Sequence, residues 1–96
     1  RDMVYIWHAE NDMFKVGITS ENLGDKRIYD VARDAGFEPK IVILENIGTE
    51  GAIKIEKQIL KLGNPVFFKQ KFAGSSEFRH FTQDELGKAI EIIKTR

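Results

Sequence analysis

The segment from Thr49 to Leu62 has the clearest hydrophobic pattern in the chain. Its apolar residues recur every three to four positions, which places them on one face of a helix with a spacing of about 100° per residue. That predicted face holds Ala52, Ile53, Ile55, Ile59 and Leu60. Thr49 is suited to cap the helix, because its hydroxyl can accept a hydrogen bond from a free amide of the first turn.

Glu56 interrupts this pattern, because it lies in the middle of the apolar face. A buried carboxylate without a partner is costly, so such a group is neutralised, paired with a base or bound to a metal. One interpretation is a structural Glu that pairs with Arg or Lys, or that lies where the apolar face opens to water. The other is a metal-binding or acid–base carboxylate at the floor of a site.

Two runs rich in β-branched and aromatic residues, Met3–His8 and Met13–Thr19, predict a β-hairpin with a polar turn between them. The period of two gives this hairpin one fully apolar face. Its members are Val4, Ile6, Phe14, Val16 and Ile18. Tyr5, Lys15 and Gly17 lie on the opposite face, which we expect to be more accessible. A Gly inside a strand often marks the close approach of a ligand or of another backbone.

The next segments predict a helix and a third strand. The helix spans Asp25–Ala35 and ends at Gly36, a residue typical of helix ends. Arg27 borders its apolar stripe, so it is either a surface cation or a residue of the site. The segment Pro39–Glu45 is apolar on both faces and predicts a well-covered strand.

The last part of the chain predicts shorter elements before a closing helix. Val66–Phe72 is extended and mixes basic with aromatic residues, and Glu77–Phe81 is a candidate short strand. Lys69, Lys71 and Arg79 could track a nucleic-acid backbone, or they could form a solvated strand face. Thr82 and Glu85 form a capping box that starts the final helix.

The order of predicted elements is β-β-α-β-α, followed by an irregular piece and a C-terminal helix. A small sheet of this kind needs helices to cover it. We therefore expect an α+β domain with a three-stranded, mostly antiparallel sheet. With 96 residues, the chain fits one domain, 1–96, with a modest core. Because it begins with Arg1, we expect either a fragment of a larger protein or a processed chain.

Composition narrows the class of protein. The sequence has no apolar run long enough to cross a bilayer and no secretion leader. We therefore expect neither a membrane-spanning segment nor a secretion signal. The absence of Cys excludes disulfide frameworks and thiol catalysis and fits a reducing compartment, which favours the cytoplasm. The formal net charge of zero argues against a strongly electrostatic binder of nucleic acid but allows a local basic patch.

A set of short motifs follows one another in a familiar order. Val4-Tyr5-Ile6 precedes the run Lys15-Val16-Gly17-Ile18-Thr19, after which Arg27 and Glu56 lie on successive helices. This arrangement resembles the GIY-YIG nuclease superfamily. It is most similar to the phage and bacterial branch whose second motif reads Lys, Ile or Val, Gly, any residue, Thr. The turn and Glu-aromatic step from Gly74 to Phe78 also resemble that branch, so the resemblance extends over nearly all of the chain before the last helix.

The resemblance implies an endonuclease that hydrolyses nucleic-acid phosphodiester bonds, with DNA favoured, using one divalent metal ion, Mg²⁺ or Mn²⁺. It implies catalytic roles for Tyr5, Lys15, Arg27 and Glu56, with Glu56 as the metal ligand. It also suggests substrate contacts for Gly17, Thr19 and Glu77.

Some positions depart from the family pattern. Lys15 stands where many members have a second tyrosine, although it is usual in this branch, and Val31 stands where some members have a histidine. Other members of the family have an asparagine near the end of the domain. It has no clear match in this chain, and Asn64 is only a loose candidate. If those groups were indispensable, the protein would be a catalytically inactive nucleic-acid- or protein-binding module on the same scaffold.

The chemistry agrees with these residue types. Mg²⁺ prefers oxygen ligands and keeps several waters, so one carboxylate and the substrate phosphate can hold it. Arg27 can offer a planar, bidentate fork to phosphate oxygens and to the charge that grows in the transition state. The zero net charge suggests help in reaching DNA, from an additional DNA-binding domain or from self-association.

The role of Tyr5 is open between two functional interpretations and a structural one. A phenol normally loses its proton near pH 10, so a general base here would need its pKa lowered by a cation such as Lys15. Otherwise Tyr5 makes a positioning hydrogen bond, or it is an ordinary half-buried strand residue.

Three further side chains have undecided roles. Glu77 is either a second carboxylate of the site or part of a surface pair. His8 and His80 could transfer protons near neutral pH, but lone strand histidines are more often surface or packing residues.

Overall fold

The computed structural model describes residues 2–48 and 51–95. Two long strands, β1 (Asp2–Glu10) and β2 (Met13–Ser20), form the predicted hairpin and are followed by helix α1 (Lys26–Ala35). Strand β3 (Lys40–Gly48) and helix α2 (Ala52–Leu60) come next. The chain ends with the short strands β4 (Asn64–Pro65) and β5 (Phe78–His80) and with helix α3 (Gln83–Thr95). None of the described helices is long and apolar enough to cross a membrane.

The protein has an α+β fold in which one antiparallel sheet runs in the order β3-β1-β2-β5-β4. The fold class is confirmed, but the predicted number of three strands is wrong because the sheet has five. The extra strands are β5, which pairs with β2, and β4, which pairs with β5. Val66–Phe72, predicted to be extended, contains no strand and lies between them.

The ends of the helices follow local capping chemistry. Gly36 ends α1 in the left-handed conformation, at φ 83°, as predicted. The capping box of α3 is confirmed, since the Thr82 hydroxyl accepts a hydrogen bond from the Glu85 amide and the Glu85 carboxylate accepts one from the Thr82 amide. The predicted Thr49 cap of α2 lies outside the described residues.

Helices α2 and α3 cover one face of the sheet and build the main core. From α2 this core receives Ala52, Ile55 and Ile59, and from α3 it receives Ala89 and Ile93. They pack on the predicted apolar side of the hairpin, which includes Val4, Ile6, Phe14 and Val16. Ile53, which was expected on the buried face of α2, is instead 63% exposed, because it lies on the edge of the helix that turns away from the sheet.

The opposite face of the sheet is also buried, which corrects the prediction that it would be more accessible. Tyr5 and Lys15 are each only 1% exposed. The cause is a second cover, in which Ile28 and Ala32 of α1 and the aromatic residues of the 66–78 segment pack against this face. Residues from distant parts of the chain therefore form the walls around the candidate site.

Strand β3 lies at the edge of the sheet, so the prediction that it is well covered is wrong. Ile41 and Val42 are each 37% exposed, whereas Ile43 is buried in the main core. A sequence that is apolar on both faces usually indicates a central strand. Here the strand order leaves β3 with β1 as its one strand partner in the described sheet.

Candidate active site

A cavity of about 370 Å³ opens between the sheet, α1, α2 and the turn that precedes β5. Five of the residues predicted to act in the site line it, namely Tyr5, Lys15, Arg27, Glu56 and Glu77. They come from β1, β2, α1, α2 and the 3₁₀ turn Ser75–Glu77, in that order. The fold thus brings into one concave surface side chains from position 5 to position 77 of the sequence.

Lys15 is the buried cation of the cavity. Its Nζ donates hydrogen bonds to Glu77 Oε1 and to the Val16 carbonyl oxygen, each at 2.8 Å. Burial lowers the pKa of Lys15, while the hydrogen bond and the charge of Glu77 oppose this effect. Gly74 closes over the lysine, since a β-carbon there would lie 3.0 Å from Lys15 Cε. The small-residue turn therefore allows the ion pair to be sealed from one side.

Glu56 is half-buried and lies beside a second carboxylate. Its pKa is raised from 4.5 to about 7, mainly by burial and then by the charge and hydrogen bond of Glu77, whereas Lys15 and Lys57 lower it. Lys15 forms its ion pair with Glu77, and Glu56 has no ion pair among the described residues. The simple structural interpretation, a Glu neutralised by a dedicated base, is thus not what the described part of the chain contains.

Tyr5 keeps its proton in this environment. Its pKa is raised from 10.0 to about 12 by burial first and then by Glu77, and Arg27 partly offsets this through its charge and a hydrogen bond. Lys15 Nζ lies 5.5 Å from the centre of the Tyr5 ring, but Glu77 already engages it. The hypothesis that Lys15 lowers the pKa of Tyr5 is therefore not supported, whereas a protonated phenol can still donate a hydrogen bond.

Arg27 lies on the exposed rim of the cavity, at the start of α1. The neighbouring cations of that helix are paired, since Lys26 and Arg33 both bind Asp30. Arg27 forms no ion pair with any residue in 2–48 or 51–95. Its guanidinium is therefore available to an anion that enters the cavity.

Two residues predicted to contact substrate lie outside the cavity lining. Gly17 is buried under Tyr5, because a β-carbon at Gly17 would lie 2.9 Å from Tyr5 Cε2 and closer still to the hydroxyl. Thr19 is also buried, and its hydroxyl has no hydrogen-bond partner within the described chain. The requirement for glycine at position 17 is thus explained by the Tyr5 ring, and a substrate contact at either position stays a prediction.

The two histidines lie away from the cavity. His8 Nε2 is 2.7 Å from the Asn11 carbonyl oxygen, and His80 Nδ1 is 2.8 Å from the Asp12 carboxylate.

Arg79 donates hydrogen bonds to the carbonyl oxygens of Leu60, Ser76 and Phe78, so it supports the backbone around β5.

Sequence reasoning missed part of the cavity wall, which includes Ile18, Ala73 and Ser76. The small-residue turn was visible in the sequence, but its position beside Lys15 depends on the pairing of β5 with β2.

Within the described ranges there is no cluster of three or more His, Cys, Asp or Glu side chains arranged to hold a metal. Comparison of the chain with family models, with curated proteins and with solved structures found no significant match.

Proposed function

We propose that this protein is a metal-dependent endonuclease of the GIY-YIG type that hydrolyses phosphodiester bonds, with DNA as the favoured substrate. One observation carries the proposal, which is that Tyr5, Arg27 and Glu56 line the same cavity although each comes from a different element. The cavity also holds the cation and the second carboxylate expected there, Lys15 and Glu77. The motif residues thus follow the order of the family in the sequence, and they also line one cavity.

The donor set fits one divalent cation of the Mg²⁺ class. Two carboxylates lie close enough to raise the pKa of Glu56, and Lys15 is paired with only one of them. Carboxylate oxygens in a partly dry cavity are ligands that Mg²⁺ and Mn²⁺ accept, with water and phosphate completing the shell. Glu56 would hold the ion, with Glu77 beside it. When bound, the ion supplies Lewis-acid polarisation of the phosphate and stabilises the leaving oxygen.

The other side chains bind and orient the substrate. Arg27 is suited to donate two parallel hydrogen bonds to phosphate oxygens at the cavity rim. Tyr5, with its proton retained, donates a hydrogen bond to a phosphate oxygen or holds the attacking water. Lys15 fixes the position of Glu77 and offsets its negative charge where a phosphate must approach.

The remaining parts of the proposal concern context. A cytoplasmic location is supported by the absence of Cys, which suits a reducing compartment. A net charge of zero supports the participation of a further DNA-binding domain or of self-association, because long-range attraction to the phosphate backbone is weak for a neutral chain.

The test is a plasmid-nicking assay with Mg²⁺ or Mn²⁺ at low salt. Glu56→Gln and Arg27→Ala should each lower the nicking rate by about 100-fold or more, as expected for groups that stabilise the transition state. The matched controls are Glu91→Gln on α3 and Arg33→Ala on α1, which remove the same charges at exposed positions outside the cavity. These two variants should nick at the parent rate.

A second measurement separates metal binding from catalysis. Mn²⁺ should raise the melting temperature of the parent and of Glu91→Gln but not of Glu56→Gln, because ligand binding to the folded state stabilises it. A folded parent that nicks no nucleic acid, or a Glu56→Gln variant that nicks as fast as the parent, would leave the binding-module alternative in its place.

A further inference from the structure

Phe67 is the most exposed large hydrophobic residue of the described chain, with 90% of its surface open to solvent. Its neighbours are not loose. Val66, Phe68 and Phe72 all pack against the aromatic core on the covered face of the sheet, and Phe68 contacts Phe72 and Phe78 at centroid distances of 4.9 and 5.1 Å. The ring is therefore presented outward by a segment that is anchored on both sides of it.

The charge around Phe67 is positive. Lys69 and Lys71 are exposed and follow it in sequence, and the run from Asn64 to Ser76 contains no Asp or Glu. Neither lysine forms an ion pair with a residue in the described ranges. A projecting aromatic ring beside unpaired cations is the combination that binds single-stranded nucleic acid, since bases stack on the ring and lysines follow the phosphates.

The surface around Phe67 borders the candidate active site at one residue, Ser76. A groove of about 320 Å³ is lined by Phe67, Phe68, Lys71 and Ser76, among others. Ser76 also lines the cavity that holds Glu56 and Arg27. The groove beside Phe67 and the cavity therefore adjoin at Ser76.

We propose that Phe67 is a stacking platform for an unpaired base of a strand whose phosphate is held in the cavity, with Lys71 contacting the backbone of that strand. In a duplex, each base face is covered by its neighbours, so a ring of this kind selects a single-stranded, flapped or frayed segment. This inference rests on the proposed nuclease function and adds a preference for unpaired nucleotides to it.

The test measures binding in the Glu56→Gln background, so that substrate is not consumed. The probes are a fluorescein-labelled 12-nucleotide single-stranded DNA and the matching duplex. Phe67→Ala should weaken single-strand binding by about tenfold, the scale of losing one stacked base, and should change duplex binding by less than about twofold. Phe67→Trp should keep or improve the single-strand affinity, because it preserves a stacking surface.

Tyr29→Ala provides the matched control. Tyr29 is also an exposed ring, 48% accessible, but its groove, which it shares with Arg33 and Glu38, has no residue in common with the candidate active site. Its removal should leave both affinities unchanged. Lys71→Gln should weaken single-strand binding and make the slope of log affinity against log salt shallower by about 0.7, the value for one lost contact to a single strand.

The inference is overturned if Phe67→Ala binds the single strand as well as its background, or if single-strand and duplex affinities fall equally. In either case a parent that still nicks plasmid keeps the proposed function. If the parent neither nicks plasmid nor binds either probe, the proposed function and this inference both fail, and the exposed ring would point to a protein partner instead.

Discussion

Strands β1 and β2 have two covered faces that differ in what they bury. On the side of α2 and α3, the hairpin contributes Val4, Ile6, Phe14 and Val16 to a core of hydrocarbon and aromatic side chains. On the side of α1, it buries Tyr5, Lys15 and Thr19 together with Trp7. Residues on the two faces alternate along the same strands, so local strand preference cannot account for the difference.

The comparison shows which face of the hairpin carries the groups that cost stability. The apolar face needs only good packing, because burying hydrocarbon is favourable in itself. The other face keeps a lysine out of water, brings Glu77 close to Glu56 of α2, and leaves the Thr19 hydroxyl and the Trp7 indole N–H without partners among the described residues. Each of these features costs free energy unless a hydrogen-bond partner or an opposite charge offsets it. Four predictions sharpen this contrast.

The largest difference should come from changing one buried residue on each face. Ile6→Ala should lower the free energy of unfolding by about 2–5 kcal/mol, the usual cost of emptying a packed site. The double change Lys15→Met with Glu77→Gln should leave it within about 1 kcal/mol of the parent or raise it, because a buried ion pair often only balances its own desolvation. Urea unfolding at one pH measures both.

Lys15→Met alone serves as the control for that pair, since it leaves two carboxylates facing each other. It should be less stable than the double variant. A double variant that loses as much stability as Ile6→Ala would show that the Lys15–Glu77 pair contributes to the core as strongly as packing does.

Gly17→Ala should destabilise the protein by about 1–3 kcal/mol, the range for overpacking a filled site. The new methyl group would meet the Tyr5 ring, which packs in one buried cluster with Ile28 and Ala32 of α1. Gly87→Ala on α3 is the matched control, because nothing lies within 4 Å of its β-carbon position. That change should stabilise by about 0.5–1 kcal/mol, as alanine does inside a helix.

A double-mutant cycle with Tyr5→Ala tests the cause. In the Tyr5→Ala background, the cost of Gly17→Ala should fall to within about 0.5 kcal/mol of zero, because the two positions are coupled only through the ring. An undiminished cost would mean that backbone conformation, and not the ring, requires the glycine.

Local patterns were enough to predict much of this fold. The hairpin, α1, α3 with its capping box, and the unusual position of Glu56 all follow from spacing within one element. The covering of the face that carries Tyr5 and Lys15 could not be predicted. It depends on where the irregular segment around Phe72 packs, and no pattern within that segment specifies this. Strand β4 has only two residues, which is too short to show a period.

The candidate site could likewise be predicted only in part. The resemblance to a family selected Tyr5, Arg27 and Glu56, and the fold places all three in one cavity. The partner of Lys15 is Glu77, 62 positions away, and no local pattern specifies that pairing. The pKa of Tyr5 is raised by burial and by Glu77, and neither cause could be predicted from the sequence alone.

Glu56→Gln should make the metal-free protein more stable at neutral and higher pH. The folded-state pKa of about 7 lies above the ordinary 4.5, so the folded state binds more protons between these values and parent stability falls as pH rises through them. The full shift corresponds to roughly 3 kcal/mol. Because the carboxylate is half open to solvent, we expect a gain of about 1–2 kcal/mol.

The pH profile distinguishes this cause from a general effect of the substitution. The advantage of Glu56→Gln should be largest above pH 7 and should disappear below pH 4.5, where the Glu56 carboxyl is protonated in both the folded and the unfolded state. Glu91→Gln should show no such profile. An advantage that is constant from pH 4.5 to 8 would argue against the crowding of Glu56 and Glu77.

Thr19→Val should give the smallest effect, a gain of about 1 kcal/mol in the free energy of unfolding. The replacement has nearly the same shape and removes a buried hydroxyl that has no partner within the described chain, so the cost of keeping that hydroxyl from water is recovered. Urea unfolding measures the gain, and the nicking assay adds the functional side. If Thr19→Val is more stable and nicks at the parent rate, the predicted substrate contact of Thr19 is wrong. If it is more stable but slower, the unpaired hydroxyl is kept for substrate, and the polar face sacrifices stability at that position for the reaction.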